Sequence, residues 1–95
     1  MKLPAQYSIL SAAKRRQIRL EYIKQQDGKC CYCEGSLEEE PPKKVTSKPI
    51  KWSLFPRGER FLDYPVHLHH DHDTDLTIGA VHAYCNAVLW QYHGE

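Results

Sequence analysis

Residues 69–86 hold four of the chain's six histidines, three carboxylates and a Cys-Asn pair. They run from His69-His70-Asp71-His72-Asp73 to His82-Ala83-Tyr84-Cys85-Asn86, a density too high for a structural accident. Part of it closes on a partner upstream. His82-x-x-Cys85 has the spacing of half a zinc knuckle, and Cys30-x-x-Cys33 has the spacing of the other half. Four ligands at fixed spacings make a closed, structural site, whereas a catalytic zinc keeps one position open. Zinc is therefore expected on Cys30, Cys33, His82 and Cys85, as a staple between the N-terminal part of the chain and its last helix. Cys30 and Cys33 hold the preferred spacing, so Cys31 is expected to stay a free thiol.

Ninety-five residues make one small domain, 1–95, near the size at which a hydrophobic core alone is marginal and a metal helps. A mean hydropathy of -0.65 and 26% charged residues fit a soluble protein. With no run of eighteen apolar residues and no charged-then-apolar leader, neither a membrane span nor a signal peptide is expected. Thiols spaced for metal rather than for disulfides place the chain in a reducing, intracellular (cytoplasmic) compartment. The net charge of +1 hides a segregation. Residues 1–29 carry +5 and residues 43–60 carry +5, while 30–42 carry -4 and 61–95 carry -5. Two basic segments flanking an acidic, histidine-rich one suit a metal centre whose neighbours grip a phosphate backbone; two solvated surfaces account for them equally well.

Along the chain, residues 1–8 read as an irregular arm. Residues 11–26 read as a basic helix, with Ser11 or Ser8 as N-cap, Gly28 as the stop, and Leu10, Ile18, Tyr22 and Ile23 as an apolar stripe. Arg15, Arg16 and Arg19 on that helix are either phosphate contacts or an ordinary wet face. Residues 36–49, with Glu38-Glu39-Glu40, Pro41-Pro42 and Lys43-Lys44, read as a loop and the most mobile segment. From Ile50 to Tyr64 the alternation of Ile50, Trp52 and Leu54 predicts a β-hairpin with Arg57 and Arg60 near its tip. Strands are expected over 66–69 and 76–80 and a final helix over 83–93. His67 reads as a surface residue and His93 as a partner of the helix C-terminal dipole. Asp73 and Asp75 read as turn residues, and Asp71 as a carboxylate that orients a histidine.

The run 69–86, together with Cys30-x-x-Cys33 after a basic helix, resembles the ββα-metal core of HNH nucleases and is most similar to the phage recombination endonuclease VII-like branch. That branch reads Asp-His-x-His, a Thr-Gly turn, an Arg-Gly pair, then Cys-x-x-Cys-Asn. Here His69 replaces the Asp, Asp75 the turn Gly, Ile78 the Arg, and His82 one zinc Cys. The chain ends nine residues after Asn86, so junction resolution is not carried over.

The resemblance implies an α+β fold: a small zinc-stapled ββα-metal (HNH/His-Me finger) domain with an N-terminal basic helix, zinc-knuckle halves at 30–33 and 82–85, and a core over 66–93. It implies a hydrolase that cuts DNA phosphodiester bonds, by nicking or by double-strand cleavage. His70 would be the general base, and His72, on the same parity, would touch the scissile phosphate. His69 and Asn86 would hold a catalytic magnesium or manganese ion. A His-Asn pair is neutral, so weak ion affinity without DNA and a preference for manganese are expected. Arg15, Arg16, Arg19, Arg57 and Arg60 would contact DNA. Monomer and homodimer both remain open. Two other classes stay alive: a non-catalytic zinc-binding module for nucleic acid, and a structural zinc domain for protein partners.

Overall fold

A computed structural model describes residues 3–94. Helix α1 spans Ala12–Gln25, a short α2 spans Lys43–Thr46, strands β1 and β2 span Val66–His70 and Thr77–His82, and α3 spans Ala83–His93. Three 3-10 turns, Tyr7–Ile9, Trp52–Leu54 and Gly58–Leu62, complete the described elements. The fold is α+β, with one two-stranded antiparallel sheet.

Helix α1 starts where the sequence predicts. The Ser11 hydroxyl accepts from Lys14 N at 3.2 Å, satisfying one of the free amides of the first turn. It ends at Gln25, three residues before the expected stop Gly28, with Gln26 as its C-cap. Asp27 takes the left-handed conformation (φ 57) and Gly28 repeats it (φ 73), while Gly28 N donates to Ile23 O and Asp27 N to Lys24 O. These two bonds satisfy carbonyls that the helix end leaves free. Ile18 and Tyr22 are the buried face of α1.

β1 and β2 pair from Val66↔His82 to His69↔Gly79, then slip, so that His70 faces Thr77 and Ile78 is the extra residue of a bulge. The connecting turn is built on Asp71, whose Oδ1 accepts from Asp73 N (2.8 Å) and Thr74 N (3.0 Å). Asp71 thus shapes the turn through Oδ1, and its charge also acts on His72 and His69.

Thr77 ties three elements together. Its Oγ1 accepts from Ala5 N and lies 2.9 Å from Tyr22 Oη, and its own N donates to Ala5 O. The arm before α1 is therefore pinned along the strand end, with Gln6 bridging Leu76. The free edge of β2 is closed by Gln26, whose side-chain amide donates to Ala80 O and accepts from Ala80 N, and by Cys31 N, which also donates to Ala80 O.

Two sequence expectations fail. Residues 50–64 form no hairpin. Pro56 and Gly58 break the run into two 3-10 turns, and the aromatic side chains pack on α3 instead of on a partner strand. Phe55 lies 4.7 Å from Trp90, Phe61 lies 5.0 Å from Phe55, and Trp52 meets Tyr84 edge-on at 6.1 Å. Arg57 and Arg60 consequently sit around a 3-10 turn, with Arg60 paired to Asp63 at 3.6 Å. Residues 36–49, read as a loop, carry α2 and two core residues, Leu37 and Val45. The end of this segment is fastened to α3: Tyr84 Oη donates to Lys48 O, and Tyr92 Oη and Gln91 Nε2 donate to Pro49 O. Among the described residues, no helix is long and apolar enough to cross a membrane.

A Cβ at Gly79 would lie 2.6 Å from Gln26 Oε1 and 3.1 Å from the Cβ and Sγ of Cys31. Gly79→Ala is therefore expected to push the Gln26 clamp off Ala80 and to lower unfolding stability by about 1–3 kcal/mol. Denaturant titration checks this, and unchanged stability would contradict the clamp.

Candidate metal and catalytic centre

Cys30 and Cys33 lie in the bend after α1, His82 ends β2, and Cys85 falls in the first turn of α3. Their ligand atoms all lie within 4.8 Å of one another, so the four could hold a metal ion. The imidazole is oriented for that role. His82 Nδ1 lies 3.4 Å from Cys33 Sγ and 3.6 Å from Cys85 Sγ, while Nε2 lies 2.8 Å from Ser36 O and 2.9 Å from Glu39 O. The carbonyls can only accept, so Nε2 carries the proton and Nδ1 presents its lone pair to the thiols. Backbone amides of Tyr32 and Gly35 donate to the sulfurs of Cys30 and Cys33, each at 3.4 Å.

The thiols compete for a single negative charge. A hydrogen bond from Cys85 is the main reason that Cys30 is drawn down to about 4. Cys85 is raised, first by that same bond and then by burial, and Cys33 is raised by burial. A divalent cation would remove the conflict by letting all three ionise. Three thiolates and one imidazole, with no place left for water, are the donor set of a structural zinc site. Cys31 stands outside the cluster, its side chain against Gly79.

The remaining histidines divide between two neighbourhoods. His70 turns to the arm and α1. Its ring stacks on Tyr7 at 3.7 Å between centroids and 6° between planes, and the ring of His72 is 4.8 Å away. The Arg15 guanidinium lies 4.0 Å from the centre of the Tyr7 ring. Two planar groups cannot share one face at these distances, so Tyr7 is sandwiched between Arg15 and His70. Burial, and then the neighbouring His72, hold His70 below the ordinary imidazole value. Arg15 Nε is the one buried side-chain polar atom without a hydrogen-bond partner among the described residues.

His69 is buried and, with Cys31, Tyr32, Ile78, Val81 and Leu89, lines a cleft of about 160 Å³. Asn86, one residue past Cys85, has its Nδ2 3.2 Å from His67 Nδ1. His67 meets Phe61 edge-on at 4.5 Å. Burial above all, with smaller contributions from the charges of Arg19 and Arg57, lowers His67 to about 4. It is therefore neutral at pH 7, and its Nδ1 accepts the Asn86 amide. The expectation of a surface His67 is corrected: Phe61 covers it and Asn86 engages it. The two-residue spacing from His69, which puts both on one face of β1, was the available signal. Nothing in the sequence points to Tyr7. His93, the last residue of α3, has Nε2 3.3 Å from Tyr32 Oη.

The basic residues distribute over both neighbourhoods. Arg15 belongs to the Tyr7–His70 stack, while Arg19 and Arg57 act electrostatically on His67. Arg16 and Arg60 are exposed.

Comparison with protein-family models, with curated proteins and with solved structures returns no match to this chain.

A cation on the cluster should contribute about 10 kcal/mol to folding, more than the whole stability of an ordinary small domain. Chelation, or Cys33→Ser, is thus expected to abolish the far-ultraviolet helix signal. A metal-free chain that keeps its full helical spectrum would contradict this.

Proposed function

We propose that the chain is a metal-dependent DNA endonuclease of the HNH (ββα-metal) class, with a structural zinc on Cys30, Cys33, His82 and Cys85. One observation carries the proposal. In the order β1, β2, α3, the His69-His70 pair ends the first strand and Asn86 lies in the first turn of the helix, one residue beyond a cluster ligand. Residue types suited to phosphodiester hydrolysis are thereby attached next to the candidate metal cluster.

Hydrolysis needs a base for the attacking water and positive charge around the phosphate. His70 is the base. Stacking occupies the face of its ring and leaves both nitrogens, which lie in the ring plane, available to water. Its lowered pKa keeps it neutral, as a base must be at pH 7. His72 lies beside it and meets the scissile phosphate, while Arg15, across the Tyr7 ring, adds positive charge on the same side of the domain. Arg19 and Arg57, on the His67 side, follow the backbone of the strand.

The donors also suit a catalytic ion. Asn86 gives its amide hydrogen to His67, which leaves the carbonyl oxygen as the atom it can offer, and His69 adds an imidazole one residue before the base. A divalent ion on His69 and Asn86 would supply charge neutralisation at the phosphate and at the departing 3′ oxygen.

The second reading is a non-catalytic zinc module that binds nucleic acid. The Asn86–His67 bond and the Tyr7–His70 stack favour it, since each gives a catalytic-type side chain a structural partner.

Nicking of supercoiled plasmid by zinc-loaded protein separates the two. The nuclease reading expects cleavage with magnesium or manganese, none in EDTA, and loss of cleavage in His70→Ala at unchanged zinc content and helix signal. DNA binding without metal-dependent cleavage supports the second reading and overturns the first. The neutral His-Asn pair further predicts faster cleavage in manganese than in magnesium at equal concentration, with the gap narrowed by His69→Asp. Equal rates in the two metals for the native protein would refute that ligand assignment.

A further inference from the structure

We infer that Tyr7 is a positioning residue for His70, and that the N-terminal arm is consequently part of the catalytic apparatus. The inference rests on the nuclease reading above.

His70 is the last residue of β1 and lies beside the bulge, where strand pairing controls a side chain least. A hydrogen bond to the nitrogen that does not accept the proton is one way to fix such a ring. A stack on its face is another, and His70 has one. At 3.7 Å and 6° it fixes the plane of the imidazole, and the Cβ attachment then fixes the direction of both nitrogens within that plane.

Tyr7 can serve as a reference surface because it is itself held on several sides. Tyr7 N donates to Asp75 O at 2.7 Å, and on either side of it Ala5 pairs with Thr77 and Ser8 N donates to Asp75 Oδ2 at 3.1 Å. The Ser8 hydroxyl reaches the same carboxylate oxygen. Arg15 backs the far face of the ring and donates from Nη2 to Tyr7 O at 3.4 Å. Asp75 adopts a left-handed conformation (φ 62) in which glycine would be less strained. Its carboxylate and its carbonyl are both used to hold the arm, which accounts for an acid at that position. The arm is thus fastened to the turn that directly follows His70, which holds the Tyr7 ring beside the base.

The test compares zinc-loaded native protein, Tyr7→Leu and Tyr7→Phe in steady-state nicking and in proton NMR of the His70 ring. Tyr7 is half-buried and packs against the edge of the core, and both changes keep a large apolar side chain there. Tyr7→Leu should lower kcat by about 10- to 100-fold with little change in KM, and Tyr7→Phe, which restores the aromatic face, should recover most of the rate. The His70 ring protons should be shifted upfield by the Tyr7 ring current in the native protein and in Tyr7→Phe, and should return downfield in Tyr7→Leu. A purely structural role would move stability without this split; the ring-current signature reports the stack itself.

Native kcat in Tyr7→Leu, a loss confined to KM, or unshifted His70 protons in the native protein would overturn the inference while leaving the nuclease reading intact. The NMR measurement on native protein decides the stack even if Tyr7→Leu fails to fold. Absence of nicking by the native protein would remove the nuclease reading and this inference with it.

Discussion

Convergence of Cys30, Cys33, His82 and Cys85 is the constraint on which the rest of the molecule depends. A chain of 95 residues buries too little apolar surface for a comfortable margin. Its core consists of short side chains around Val81, Val88 and Leu68, with Ile18 and Tyr22 supplied by α1. The cluster joins the bend after α1 to the junction of β2 and α3, a closure across 49 residues between Cys33 and His82. Ordering of the acidic segment follows from the same contact, because the His82 Nε2 proton is shared with the carbonyls of Ser36 and Glu39. Orienting the ligand and ordering the loop are therefore one event.

From that fixed junction the fold projects two groups of side chains on either side of the β1 terminus. On the α3 side, Phe61 supports His67 and His67 holds the Asn86 amide. Tyr7, backed by Arg15, supports His70 on the other side. In each case an aromatic ring from an irregular segment braces a histidine of the strand. Irregular segments can do this because they are themselves tied down, the arm by Thr77 and Asp75 and the 50–64 segment by its packing on α3. On the proposed nuclease reading, the two braced groups share the work of holding an ion and holding a base.

Much of this was legible in the sequence, for identifiable reasons. Fixed ligand spacings revealed the cluster, since convergence of two x-x pairs on one ion tolerates few geometries. Ser11 and Gly28 marked the ends of α1, because capping is local chemistry. The two strands and α3 came from short apolar runs next to the histidines. What stayed hidden depends on tertiary partners. Ile50, Trp52 and Leu54 alternate as a strand would, yet Leu54 is 52% exposed and the aromatic residues found α3 rather than a neighbouring strand. Leu37 and Val45 sit in a segment whose prolines and charges disguise two core positions. Asp71 and Asp75 exchanged the expected emphasis: Asp71 closes the turn, and Asp75 receives an arm that lies 67 residues away in sequence. Tyr7 became visible only once His70 and Arg15 were placed around it.

The most direct test of the central claim is X-ray absorption at the zinc edge on stoichiometrically loaded protein. Convergence of Cys30, Cys33, His82 and Cys85 on one ion predicts three sulfurs at about 2.3 Å and one imidazole nitrogen at about 2.0 Å, with no open position. A shell of four sulfurs would mean that Cys31 displaces His82. A shell rich in oxygen would mean that the cluster is not closed. Either result would contradict the account, because His82 would no longer link the ion to the end of β2 and to the ordered acidic segment.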